Sequence, residues 1–343
     1  MRAFFAAETD AHAPEFFLKL GKVVPNEERA ERSKRLRTAL DGLGVAVETP
    51  GHYGDEPILA VHSARYLEFL KGIYGEWSSL PAAGPEVVAN VQPRHAGTQY
   101  PPGIIGRMGW HMGDLACPIG KGTAEAACRA ADTAVAAAET VSDGTLAYAL
   151  CRPPGHHASA EVAGGHCYLN NSAIAAERLR ANGARVAILD IDVHHGNGTQ
   201  SIYYRNGNVT TVSVHAGAGM FYPWFTGHPD ERGEGEGEGA NHNISVPVGA
   251  SGAAWQLAVA DGLAVAVGSG ADALVLALGL DVHESDPLGA LKVSTHDIFV
   301  AGEIIGRAAL PTVVVQEGGY LGPVLTENLT AFLGGLRGSH PSG

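Results

Sequence analysis

The sequence predicts a single α/β domain built on a mostly parallel β-sheet. Three observations carry that expectation. Continuous apolar runs of strand length recur at 186–190, 209–214, 273–278 and 312–316. Segments of helical pattern at 122–140, 171–182, 253–268 and 296–309 alternate with them, which is the signature of parallel β-α units. The strand-like runs are mainly apolar or β-branched at both alternating sets of positions, as expected when helices cover both faces of a sheet.

The helix at 122–140 is alanine-rich, with Thr123 placed to cap it. A further helix is expected over 26–43, with Asn26 as its cap and Gly44 as its stop. Residues 80–121, rich in Pro and Gly, and residues 216–243 lack regular periodicity and are expected to be long loops. The second contains Gly233-Glu-Gly-Glu-Gly-Glu-Gly239, read as a solvated loop. There is no solenoid-type repeat and no interdomain linker, so residues 1–343 are read as one domain.

Hydrophobic residues make up 45% of the 343 positions and charged residues 17%, enough for a large core. The formal charge of −13 argues against a nucleic-acid partner, which would need a basic surface, and favours cationic substrates by long-range steering. Cys117, Cys128, Cys151 and Cys167 form no C-x-x-C pair, which fits a reducing compartment. No apolar run approaches the roughly 20 residues that span a membrane, and the opening segment is too weakly apolar for a signal peptide. A cytoplasmic protein is expected.

The densest chemical cluster is Asp190-Ile-Asp192-Val-His194-His195-Gly196-Asn197-Gly198, directly after the run at 186–190. Ligands of parallel α/β sheets bind at the carboxyl ends of strands. Alternate residues there share a face, so Asp190, Asp192 and His194 are expected to point together. Carboxylate oxygen and imidazole nitrogen suit zinc, and three protein ligands leave a fourth position for chemistry. Asp281, at the end of the run at 273–278, is the best third ligand. A second cluster, Arg152-Pro-Pro-Gly-His156-His157, follows an apolar stretch at 146–150. A neutral imidazole beside a metal-activated water is a good general base. The third, Glu317-Gly-Gly-Tyr320, places a phenol after two glycines, able to donate to an oxyanion.

Together with Gly165-His166-Cys-Tyr-Leu-Asn-Asn171 and Leu278-Gly-Leu-Asp281, these motifs resemble the histone deacetylase superfamily, in the family's order over residues 146–320. Asn197 resembles class II and bacterial acetylpolyamine amidohydrolases, and the segment 80–121 resembles an insertion that helps those enzymes form homodimers. The resemblance implies an arginase/deacetylase-type fold with a central eight-stranded parallel sheet. It implies one Zn2+ per chain on Asp192, His194 and Asp281. His156 and His157 would be the catalytic histidine pair, supported by Asp190 and Asn197, with Tyr320 polarising the scissile carbonyl. Structural K+ or Na+ would involve Asp190, Asp192, His194, Ser213 and Val214, with an outer site at Tyr203 and Val209. The substrate tunnel would be lined by Gly165, His166, Phe221, Tyr222 and Leu288.

The implied reaction is hydrolysis of an acetyl-amide of a small amine or of acetyl-lysine to acetate and free amine. The alternatives are an amidase for another small or xenobiotic amide, a non-catalytic protein of the same fold, and an arginase-like two-manganese hydrolase. His166 stands where the family usually has an aromatic, and is read as a more polar wall able to bear charge. Ile105 and Ala116 stand where the polyamine enzymes place acids, with Asp114 close by and Glu284 as another source of charge. The substrate is therefore less specified than the reaction.

Overall fold

The computed structural model describes residues 1–93, 99–141 and 144–342. Its strands are β1 (Arg2–Phe4), β2 (Phe16–Lys19), β3 (Lys22–Pro25), β4 (Val47–Glu48), β5 (Leu146–Ala149), β6 (Val186–Asp190), β7 (Val209–Ala216), β8 (Asn241–Val246), β9 (Ala273–Leu278) and β10 (Thr312–Gln316). Its helices are α1 (Glu31–Gly42), α2 (Glu56–Leu59), α3 (Ala64–Ser78), α4 (Ile104–His111), α5 (Thr123–Thr140), α6 (Asn171–Ala181), α7 (Asn197–Tyr203), α8 (Gly252–Gly268), α9 (Thr295–Gly306) and α10 (Leu325–Ser339).

Eight strands form one sheet in the order β4-β1-β5-β10-β9-β6-β7-β8. Every pairing within it is parallel. The expected eight-stranded parallel α/β domain is therefore what forms. Side chains alternate across the pleat: Val313 and Val315 enter a core with α5 and α6, while Val314 enters the opposite core with α8, α9 and α10. Burial on both faces is why the strands read as unbroken apolar runs. The neighbours β5, β10, β9 and β6 end side by side, so their four following loops converge at one edge. No described helix is long and apolar enough to cross a membrane.

Several local expectations need correction. The first helix starts at Glu31, not 26. Asn26 instead turns the chain by accepting from the Glu28 amide at 2.8 Å, and Glu28 is drawn into a buried ion cluster. Gly44 does stop the helix, at φ 65°. Thr123 is not a cap but the first residue of α5; its hydroxyl accepts from Gly120 N and hydrogen-bonds with His12. The segment 80–121, part of which (94–98) lies outside the described residues, contains α4. Glycines made α4 read as loop, but close packing demands them. A β-carbon at Gly109 would stand 2.2 Å from Val91 O, and one at Gly106 2.5 Å from the Pro101 side chain. The Gly-Glu run includes a short 3₁₀ turn at Gly235–Gly237, with Glu234 pairing to Arg205 at 2.8 Å.

Candidate active site

Asp190 ends β6, the loop after it supplies Asp192 and His194, and the loop after β9 supplies Asp281. Asp192, His194 and Asp281 converge with their ligand atoms within 4.8 Å of one another, all buried. His194 Nδ1 lies 3.0 Å from Asp192 Oδ1 and 3.3 Å from Asp281 Oδ2. Backbone amides orient the carboxylates: Gly318 N donates to Asp192 Oδ2 at 2.8 Å and Val193 N to Asp281 Oδ1 at 3.1 Å. Asp281 Oδ2 is buried without a hydrogen-bond donor. Burial and the neighbouring Asp192 push Asp281 up to about 7, against the pull of His194. Two crowded carboxylates, one with an orphaned oxygen, fit a divalent cation. The surrounding backbone is cut to this cluster. A β-carbon at Gly318 would sit 2.0 Å from Asp281 Oδ2, and one at Gly279 2.3 Å from Asp192 Oδ2.

The loop after β5 brings in the histidine pair, whose rings lie 4.0 Å apart. His156 Nδ1 donates to Asp190 Oδ2 at 2.8 Å, and His157 Nδ1 to Asn197 Oδ1 at 2.7 Å. The two rings therefore differ in charge. Burial opposes the charged form of His156, but Asp190 and Asp192 outweigh it and push it up to about 10. Burial, with the charges of His156 and His194, holds His157 well below the usual histidine range. The tautomer fixed by Asn197 leaves His157 Nε2 free to accept a proton. The same group of residues that was expected to share a face thus divides: Asp190 turns to His156, while Asp192 joins His194.

The loop after β10 carries Tyr320, whose hydroxyl stays protonated because burial raises it against the pull of Arg32. Two residues that sequence reasoning passed over hold this loop. The Arg32 guanidinium lies 4.8 Å from the Tyr320 ring and donates to Gly319 O at 2.6 Å and Glu317 O at 2.7 Å. Glu28 anchors Arg32 at 2.8 Å and Arg152 at 2.9 Å, all three buried. Nothing in the helix-like pattern around 26–43 distinguishes these charges from solvated ones. Glu317, quoted in its motif but given no role, accepts from Gly155 N (2.6 Å), His156 N (3.0 Å) and the Ser172 hydroxyl (2.8 Å).

A cavity of about 890 Å³ opens above the cluster. Gly165, His166, Phe221, Tyr222 and Leu288 all line it, as do His157, His194, Asn197 and Tyr320. Gly165 has φ 52°, and a β-carbon there would strike the His157 ring at 2.4 Å. His166 is not the chargeable wall expected. It packs edge-on against Phe17, and burial brings it down to about 4, so it is neutral. Phe17 and the hairpin β2–β3 were missed, although Phe16-Phe-Leu-Lys-Leu-Gly-Lys-Val-Val-Pro25 shows a turn glycine between short strand-forming runs. Asp114 lines the cavity, whereas Ile105 and Glu284 do not. Ser213 pairs with Asp190 across β6 and β7 and hydrogen-bonds with His215 at 2.9 Å. Val214 and Val209 are buried in β7, and the Tyr203 hydroxyl donates to Glu177 at 3.0 Å.

The chain is similar to known proteins over nearly its whole length. Residues 26–336 match the histone deacetylase domain. The chain is similar to an acetylpolyamine amidohydrolase of Burkholderia pseudomallei, at 43% identity over 98% of this chain and 100% of that protein. It is also similar to one of Mycoplana ramosa, at 35% identity over 98% of this chain and 100% of that protein. A crystal structure of an acetylpolyamine aminohydrolase from Burkholderia pseudomallei superposes with a TM-score of 0.96, at 43% identity and 99% coverage of both chains.

Proposed function

The chain belongs to the histone deacetylase family of amide-bond hydrolases, and we propose that it is a zinc-dependent deacetylase of small acetylated amines, with acetyl-lysine as the alternative acyl donor. Full-length similarity to proteins named acetylpolyamine amidohydrolases supports the substrate class. The single observation that carries the chemistry is a buried histidine pair, one ring hydrogen-bonded to the Asp190 carboxylate and the other to the Asn197 amide, beside a three-residue metal cluster at the floor of a cavity.

In this reading Asp192, His194 and Asp281 hold the zinc. When bound, zinc supplies Lewis-acid polarisation of the carbonyl and lowers the pKa of water towards about 7. His157, neutral and fixed by Asn197, takes the proton of the attacking water. His156, protonated and held by Asp190, stabilises the developing negative charge. The Tyr320 hydroxyl donates to the oxyanion, and a protonated histidine returns a proton to the leaving amine. Asp190 and Asn197 act by fixing ring orientation. The orphaned Asp281 oxygen and the Gly318 and Gly279 clearances support the ligand set.

A structural K+ or Na+ beside Asp190 and Ser213, a homodimer formed through residues 80–121, and a cytoplasmic location complete the proposal. Four free cysteines fit the last. The test is turnover of acetylputrescine, acetylspermidine and an acetyl-lysine peptide, with and without a zinc chelator. Chelator-sensitive release of acetate is expected. A zinc-loaded protein that cleaves no acylated amine would sink the reading.

A further inference from the structure

Asp114 is the one carboxylate among the described residues that line the cavity. It follows α4, and the backbone on both sides of it is stitched to the segment that carries Gly165 and His166. Ala163 N donates to His111 O at 2.8 Å, Gly113 N to Ala163 O at 2.7 Å, and His166 N to Ala116 O at 3.2 Å. The buried His111 ring closes the end of α4 on the same segment. Its Nδ1 donates to Glu161 O at 2.7 Å, and its Nε2 accepts from the Tyr100 hydroxyl at 2.9 Å. The Asp114 backbone is therefore held independently of its side chain.

The side chain ties two parts of the cavity wall together. Oδ1 accepts from Ala116 N at 2.8 Å; Oδ2 accepts from Gly165 N at 2.9 Å and the Tyr222 hydroxyl at 2.5 Å. Three donors thus converge on one side chain, and among side chains of this size only a carboxylate accepts at both ends. Burial, with Asp114 beside it, raises the Tyr222 phenol well above its usual range, so the hydroxyl keeps the proton that it donates. The glycines are cut to this tie. A β-carbon at Gly164 would stand 3.2 Å from Asp114 Oδ2, and one at Gly165 2.8 Å from the Tyr222 oxygen and 2.4 Å from the His157 ring. The Tyr222 ring stands perpendicular to the His157 ring at 4.9 Å, and its neighbour Phe221 stacks on His194 at 5.0 Å. Asn197 fixes one nitrogen of His157, while Gly165 and Tyr222 confine the ring itself.

We propose that Asp114 is a positioning residue: its carboxylate ties Tyr222 to Gly165 and so holds the His157 ring in the orientation that proton transfer needs. This rests on the deacetylase reading above and adds a residue to the same site. The test is steady-state turnover of acetylputrescine by the zinc-loaded native chain, Asp114→Asn, Tyr222→Phe and the double variant, with zinc content and Tm measured for each. Asp114→Asn keeps the size but accepts at one end only; Tyr222→Phe removes the phenol from the tie and leaves both amide bonds. Each is expected to lower kcat per zinc-loaded chain by about ten-fold or more, with KM within about two-fold of native. The double variant should be no slower than the slower single variant, because both substitutions cut the same tie. A merely structural role would lower Tm or zinc content and leave kcat per zinc-loaded chain unchanged. A native kcat in either single variant, losses that multiply in the double variant, or a loss confined to KM, which would set the carboxylate against the substrate itself, overturns the inference and leaves the deacetylase reading standing. Should Asp114→Asn fail to fold, the kcat of Tyr222→Phe decides alone. A zinc-loaded native chain that turns over no acetylputrescine overturns both.

Discussion

Tyr320 and Asp281 do separable work, and their variants separate binding of the metal from use of it. The Tyr320 ring is held by Arg32 and His166, so removing its hydroxyl changes one donor and leaves the packing intact. Tyr320→Phe is expected to lower kcat by at least about 100-fold while zinc stays bound, the scale of a lost oxyanion donor. Full activity in that variant would remove Tyr320 from the mechanism. Asp281→Ala removes a carboxylate whose free oxygen faces His194 at 3.3 Å. Two protein ligands are too few for a stable zinc site, so this variant is expected to retain much less than one equivalent after dialysis. Elemental analysis showing full occupancy would refute the ligand assignment. The residue scale also explains why His156 and His157, adjacent and chemically identical, differ in charge. One faces a carboxylate and the other an amide, and burial amplifies the difference.

Single loops are short of the precision this site needs, and the structure couples them in pairs. Glu317, on the loop after β10, ties down the loop after β5 through Gly155 N and His156 N, and α6 through Ser172. Its removal leaves two buried amides unpaired and frees the histidine pair to shift. Glu317→Ala is therefore expected to cut kcat by about 10- to 100-fold with little change in KM, whereas Glu317→Gln, which keeps an acceptor, stays near the native rate. A proportionate loss in both variants would mean the carboxylate charge matters rather than its geometry. This coupling marks what was legible in the sequence and what was not. Strands buried on both faces announced themselves by composition, and the residues at their carboxyl ends by clustered Asp, His and Tyr. The start of α1 was not legible, because Asn26 and Glu28 are diverted by tertiary bonds that local helix propensity cannot register. Nor was α4, whose glycines answer to Val91 and Pro101 rather than to a turn. Arg32 was hidden for the same reason: besides Glu28 one turn away, the carbonyls it holds lie nearly the whole chain away, at Glu317 and Gly319.

The whole molecule buries many of its histidines, and their titration ties stability to pH. Burial lowers His12 to about 3 and His62, His166 and His215 to about 4. Each is neutral in the fold but takes a proton near pH 6.5 once unfolded. Their contribution is complete above pH 6.5 and is lost as pH falls towards 4. His156, raised to about 10 against the effect of burial, is protonated in the fold throughout and adds slope in that window only near pH 6.5, where its unfolded form titrates. Glu317, raised chiefly by burial to about 7, works in the opposite direction, since the fold binds its proton first. The net acid slope is thus a difference between opposed groups, and one histidine must be isolated to read it. His62 suits this: its Nε2 accepts from Asn170 N at 2.9 Å, a role a glutamine oxygen can fill, and it stands outside the metal cluster. Urea unfolding of the native chain and His62→Gln should diverge between pH 6.5 and 4.5. The native chain should lose about 1.4 kcal/mol per pH unit more than the variant, the value of one proton taken up on unfolding. Parallel curves would mean that His62 carries its proton in the fold, and that burial does not set its charge.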